Sequence, residues 1–183
     1  MTESIESPGS VSEIRTLMSG LISEGATVAT AESITGGRLV AALTSVPGAS
    51  AVVRGAVVAY AIDIKASMLG VDPAVLDEQG PVSAPVAEQM ATGVRERMTA
   101  TYGVATTGEA GPDSASGRSV GTVYVAVAGP GGTTTRRLQA PGTREQVQQG
   151  AVAGALALLA AVRGAGPGEG DALAGAEIGN NDG

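Results

Sequence analysis

Ser33 follows an apolar stretch, Thr27-Val28-Ala29-Thr30-Ala31-Glu32, and precedes Ile34-Thr35-Gly36-Gly37. A serine delivered by a buried strand onto a glycine-opened helix start can act as a nucleophile. Main-chain N–H groups there can hold an oxyanion, and glycine lets a substrate approach the backbone. The same pattern also fits a serine that merely caps a helix beside two glycines that permit close packing. Composition narrows the choice of a partner, because the chain contains no histidine and no cysteine. That excludes a Ser-His-Asp triad, a cysteine nucleophile and a His/Cys metal site. A base for Ser33 must be a lysine, a tyrosine or a carboxylate. Lys65 is the only lysine among 11 basic residues; the others are arginines, which stay protonated in proteins. Lys65 can serve only if an enclosed site lowers its pKa from about 10.4 to roughly 7 or 8. An exposed lysine on a short helix would not qualify. Tyr60 could relay a proton or hold the serine hydroxyl, or be a half-buried residue at a strand end.

The elements that must position these residues follow from periodicity. Val11, Ile14, Leu17, Met18, Leu21 and Ile22 recur at helical spacing and are closed by Gly25,. Residues 26–30 read as a short strand and 36–45 as a helix stopped by Val46-Pro47-Gly48. Residues 51–61 read as a central strand, and 62–69 as a short helix carrying Lys65 and ending at Gly70. Pro73 opens a helical turn, and Val82, Val86, Met90, Val94 and Met98 form an i,i+4 stripe that predicts a helix over 83–99,. Residues 102–106 should be a strand running into Thr107-Gly108-Glu109-Ala110-Gly111. A β-hairpin is expected over 120–128 and 133–138, around Gly129-Pro130-Gly131-Gly132,. Thr143 and Gln146 resemble a reciprocal cap opening a last helix to about Arg163,.

Early alternation of strands and helices with a late hairpin predicts an α/β fold, a three-layer α/β/α sandwich with a mixed sheet. Ligands of such sheets sit at the carboxyl ends of the strands. The loops there would gather Ser33, Lys65 and Thr107 at one mouth.

With 183 residues the chain suits one domain, read here as residues 11–163 between a mobile leader (1–10) and a disordered acidic Gly/Ala tail (164–183). Phe and Trp are absent, so Val, Ala, Leu, Ile and Met must fill the core. The net charge of −7 arises mostly at the ends, from Glu3, Glu6, Glu169, Asp171, Glu177 and Asp182. No basic run or stacking aromatics are present, which argues against nucleic-acid binding. The polar, acidic start lacks a signal pattern, and the apolar run 151–162 is shorter than a membrane span of roughly 20 residues. A cytoplasmic protein without a membrane partner is the expectation. The small-residue helix 151–161 could pack on its own sheet or on a second copy as a homo-oligomer.

Several motifs occur in register: Ala31-Glu32-Ser33-Ile34-Thr35-Gly36-Gly37; Val58-Ala59-Tyr60 with Lys65 and Leu69-Gly70-Val71; Val82-Ser83, Val86-Ala87, Met90-Ala91 and Gly93-Val94-Arg95; Thr107-Gly108, Ala110-Gly111-Pro112 and Val120-Gly121-Thr122-Val123. Together they resemble the CinA C-terminal-domain family over about residues 11–163. Characterised members include nicotinamide mononucleotide deamidases, which release ammonia and nicotinic acid mononucleotide. The resemblance implies a Ser/Lys amidohydrolase without metal or cofactor, with a small-molecule nucleotide as substrate. It places the nucleophile at Ser33, the base at Lys65 and a supporting hydroxyl at Tyr60. Thr35, Gly36 and Gly37 would line the reacting amide or ribose phosphate, Thr107, Gly108 and Gly111 would form the opposite wall, and Arg144 would take the phosphate. Glu109, Asp113 and Gln148 depart from the family pattern. The alternative is a catalytically inactive nucleotide-binding or protein-interaction module of the same fold.

Overall fold

Alternation along the strands decides which helices cover which side of the sheet. The computed structural model describes residues 10–114 and 116–164. The expected leader up to residue 9 and tail from 165 onward lie outside the described residues. Five strands, β1 (Val28–Glu32), β2 (Val53–Val58), β3 (Tyr102–Gly108), β4 (Thr122–Gly129) and β5 (Gly132–Gln139), form one sheet in the order β2-β1-β3-β4-β5. β1 runs parallel to both β2 and β3, while β3, β4 and β5 pair antiparallel, so the sheet is mixed as expected. The carboxyl ends of β1, β2 and β3 therefore share one edge.

The helices are α1 (Val11–Ser23), α2 (Arg38–Thr44), α3 (Ile62–Leu69), α4 (Pro73–Gln79), α5 (Ala84–Arg97) and α6 (Arg144–Gly164). On one face Val28, Val104, Val123, Val125 and Val127 pack under α1, α2 and α6. On the other, Ala29, Ala31, Ala105, Ala126 and Ala128 meet α3, α4 and α5. This asymmetry explains how a core without Phe or Trp closes: short side chains let α5 sit almost on the backbone. A Cβ at Gly103 would lie 2.1 Å from the Ala91 carbonyl oxygen, so only glycine fits there.

The expected cap of α6 forms, and α1 has one that was not expected. The Ser10 hydroxyl and Glu13 carboxylate cap α1 reciprocally, so Ser10 is part of the fold rather than of a leader. The Thr143 N–H donates to Gln146 Oε1 at 2.8 Å, and the Gln146 N–H returns a bond to Thr143 Oγ1 at 3.4 Å. Val11 and Ile22, counted in the apolar stripe of α1, are exposed. β2 is shorter than expected, because a 3-10 turn at Ala49–Ala51 precedes it. α6 has 21 residues and by length and composition alone is apolar enough to cross a membrane, as the core helix of a soluble protein also can be. Ala151, Ala155, Leu158 and Leu159 of α6 are nevertheless fully buried in the valine-side core.

Candidate active site

β1 ends at Glu32, and the chain then turns through residues 33–37 before α2 begins. Gly36 (φ +58°) and Gly37 (φ +95°) are both left-handed, which is why α2 starts at Arg38 and not at Gly36. Ser33 is thus not a helix cap. It sits half-buried on the turn, anchored by its N–H to the Thr106 carbonyl on β3 at 2.9 Å. Gly36 beside it is exposed, and a Cβ there would meet nothing within 4 Å.

β2 returns the chain to the same edge, and α3 carries Lys65 inward. Lys65 and Leu69 are the buried residues of that helix, and Lys65 is 1% exposed. Its Nζ reaches Ser33 Oγ at 2.9 Å and the Ala59 carbonyl at 2.5 Å. Among the described residues no carboxylate is hydrogen-bonded to it. Burial without a counter-charge pushes the Lys65 ammonium down from 10.5 to about 8,. A neutral amine has a lone pair that can accept the Ser33 proton. The lone lysine and the motif serine, 32 residues apart in sequence, are in contact.

The remaining expected residues divide. Arg144, in the first turn of α6, leans across the mouth: its Nη1 donates to the Gly111 carbonyl and its Nη2 to the Tyr60 hydroxyl, each at 2.7 Å. No carboxylate neutralises it among the described residues. Tyr60 is hydrogen-bonded to Arg144 and not to Ser33. It is 60% exposed and its hydroxyl serves Arg144 instead of Ser33, because the side chain leaves the β2 end toward α6. Thr35 and Thr107 point into the protein. Both are buried, and their hydroxyls are spent internally, Thr35 on Glu32 and Thr106 and Thr107 on the Pro81 carbonyl at 2.8 Å. Gly108 is packed tightly at the end of β3: a Cβ there would lie 2.6 Å from the Thr122 carbonyl oxygen and 2.8 Å from Ile34 Cδ1.

Glu32 escaped the sequence reading. It is completely buried, and its carboxylate accepts from the N–H groups of Gly37 (2.9 Å), Leu39 (3.0 Å) and Val40 (2.8 Å) and from the hydroxyls of Thr30 (3.1 Å) and Thr35 (2.7 Å). The donors at the start of α2 are consequently taken by the protein's own carboxylate and are not open to a substrate. Among the described residues the N–H groups of Ile34 and Thr35 carry no hydrogen bond. Glu109 is also buried, and its carboxylate accepts from the Ser116 N–H at 2.7 Å, holding its own loop. Gln148, one turn after Arg144, donates from Nε2 to the Ile34 carbonyl at 2.9 Å. Gln148 thereby braces the residue that follows the serine. The only hint of Glu32's role in the sequence is an acid close before a helix start.

Residues 11–162 match the model of the CinA C-terminal domain. A CinA-like protein of Frankia casuarinae is 52% identical over 139 residues, covering 76% of this chain and 32% of that protein. One from Gloeobacter violaceus is 48% identical over 142 residues, covering 76% of this chain and 33% of its own length. The chain thus spans about a third of these curated relatives. Among solved structures, the competence/damage inducible protein CihA of Agrobacterium tumefaciens superposes with a TM-score of 0.82 at 35% identity, covering 87% of this chain and 98% of that one. A competence-damaged protein (CinA) superfamily protein of Escherichia coli gives 0.82 at 31% identity, covering 87% and 94%.

Proposed function

This chain belongs to the CinA C-terminal domain family, and we propose that it is an amidohydrolase converting nicotinamide mononucleotide and water into nicotinic acid mononucleotide and ammonia. The observation that carries this reading is the 2.9 Å contact between Ser33 Oγ and a Lys65 Nζ that is 1% exposed. In a chain without histidine or cysteine, no other pair at this edge combines a nucleophile with a base whose pKa lies near neutrality,.

In the proposed reaction neutral Lys65 takes the Ser33 proton as Oγ bonds to the carboxamide carbon. The carbonyl π electrons move onto oxygen, where the unengaged N–H groups of Ile34 and Thr35 are the candidate donors,. The C–N bond then breaks, Lys65 gives its proton to the departing nitrogen, and ammonia leaves an ester on Ser33. Water attacks that ester and loses a proton to Lys65. The C–O bond to serine breaks, and Oγ recovers the proton from Lys65. The pyridinium charge of the substrate makes the carbonyl carbon electrophilic at the outset.

Arg144 is the proposed phosphate partner, an exposed guanidinium held across the mouth by Tyr60 and Gly111 with no carboxylate of its own,. Its role gains weight from Glu32, which already fills the α2 start. The test is mass-resolved conversion of nicotinamide mononucleotide with ammonia release, by the wild-type chain and by Ser33→Ala. Conversion lost in the variant supports the reading. A folded wild-type protein without turnover, or a variant that turns over normally, removes it.

A further inference from the structure

Glu32 is a buried carboxylate for which the proposed reaction has no use. Its two oxygens accept five hydrogen bonds, three of them from main-chain N–H groups: Gly37 at the end of the turn, and Leu39 and Val40 in the first turn of α2. The Thr35 hydroxyl spends its single proton on Glu32 Oε2 at 2.7 Å, so the 2.8 Å bond between the Thr35 and Thr106 hydroxyls must be donated by Thr106,. The Thr106 carbonyl in turn accepts the Ser33 N–H at 2.9 Å. A closed path of hydrogen bonds therefore runs from Glu32 through Thr35 and Thr106 back to the serine that follows Glu32 in the chain.

We infer that Glu32 is a positioning residue: its carboxylate fixes the 33–37 turn so that Ser33 Oγ is held against Lys65 Nζ. It touches neither the serine hydroxyl nor the lysine and acts through the backbone. Two features single it out from ordinary helix capping. Gly36 and Gly37 are left-handed and flexible by composition,, so the turn has no stiffness of its own. α2 has only seven residues, too few to hold its first turn unaided. Glutamine cannot replace Glu32, because its NH2 would face a main-chain N–H in either orientation: Gly37 and Leu39 on one side, Val40 on the other.

This inference rests on Ser33 as the nucleophile, and the test separates the two. A fluorophosphonate that labels activated serines is reacted with the wild-type chain, Glu32→Gln, Thr35→Val and the core variant Leu159→Ala, across pH, with labelling at Ser33 read by mass spectrometry. Misplacing a nucleophile by about 1 Å costs on the order of a hundredfold in rate, so Glu32→Gln should label about a hundredfold slower, with the pH midpoint unchanged. Thr35→Val, which keeps the charge and four of the five donors, should fold and label several-fold slower. Leu159→Ala, destabilised but remote from the turn, should label at the wild-type rate. Labelling of both turn variants at the wild-type rate, or an equal slowing in Leu159→Ala, overturns the positioning role. A wild-type chain that is not labelled at Ser33 overturns the nucleophile itself, and the positioning role with it.

Discussion

Replacing Lys65 by methionine keeps a flexible unbranched side chain, one atom shorter, and removes its charge, which makes the energetic cost of the buried ammonium measurable. Burial lowers this group from 10.5 to about 8; the 2.5 units between them correspond to roughly 3 kcal/mol of stability withheld from the folded protein while the lysine is charged. Between about pH 8 and 10.5 the unfolded chain binds more protons at this site than the folded one, so wild-type stability rises with pH across that window. Below about pH 8 both states are protonated and the penalty is complete. The methionine variant escapes it but loses the bonds to Ser33 and Ala59, together about 2 kcal/mol, the second leaving a buried carbonyl unpaired. The variant should therefore be about 1 kcal/mol more stable than wild type at neutral pH and the less stable of the two above about pH 9. Between about pH 7 and 9.5 the difference should move by roughly 2 kcal/mol in favour of wild type. Urea unfolding followed by circular dichroism suits a chain without tryptophan, and subtracting variant from wild type cancels every other titrating group. A difference that stays flat over that range would refute the reasoning, because Lys65 would then titrate alike in both states.

The same lysine predicts that kcat/KM on nicotinamide mononucleotide rises tenfold per pH unit and levels off above about pH 8,; a profile flat from about pH 6 to 9 excludes neutral Lys65 as the base. Arg144→Ala should lower kcat/KM by about ten- to a hundredfold on the nucleotide, the worth of a charge-assisted bond, and far less on the dephosphorylated riboside, as steady-state rates on both substrates would reveal. Gly103→Ala should destabilise the fold by about 1 to 3 kcal/mol or more in thermal unfolding, since the added Cβ meets the Ala91 carbonyl at 2.1 Å.

What the sequence exposed of this site is what elimination and alternation can reach. Without histidine or cysteine, one lysine remained to serve Ser33, and the two are in contact. Strands ending beside those residues announced the shared edge, and the parallel pairing of β1 with both β2 and β3 supplied it. Side-chain direction at the strand ends was not legible. Thr35 and Thr107 are small polar residues in glycine-rich loops, a context that reads as substrate-facing, yet each turns inward to satisfy a buried acceptor. Tyr60 and Arg144 are 84 residues apart, and no local pattern reports that the phenol belongs to the guanidinium. Helix starts erred for one physical reason: Gly36 and Gly37 look like the opening of α2, but their left-handed conformations place them in the turn before it.

Glu32 and Lys65 are both ionisable, both buried and both within reach of the same serine turn, yet the fold surrounds them differently. The Glu32 carboxylate receives five donors, which replace nearly the whole hydration shell of an anion. Lys65 has two partners, a carbonyl and the serine hydroxyl, so an ammonium there leaves one charged N–H without an acceptor among the described residues. The neutral amine leaves only an uncharged one, at a far smaller desolvation cost. In the proposed reaction the number of partners assigns the roles: the fully bonded group holds geometry, and the under-bonded group gives up its proton. Adding an acceptor beside Lys65 should therefore slow the reaction even if nothing moves. Ala61→Glu, four residues before Lys65 at the exposed start of the same helix, brings a carboxylate to the side of the helix that Lys65 occupies, where it stabilises the ammonium. Its rate profile should shift to higher pH with the plateau retained, and an unshifted profile in a folded variant would show that partner number does not set the reactivity of Lys65.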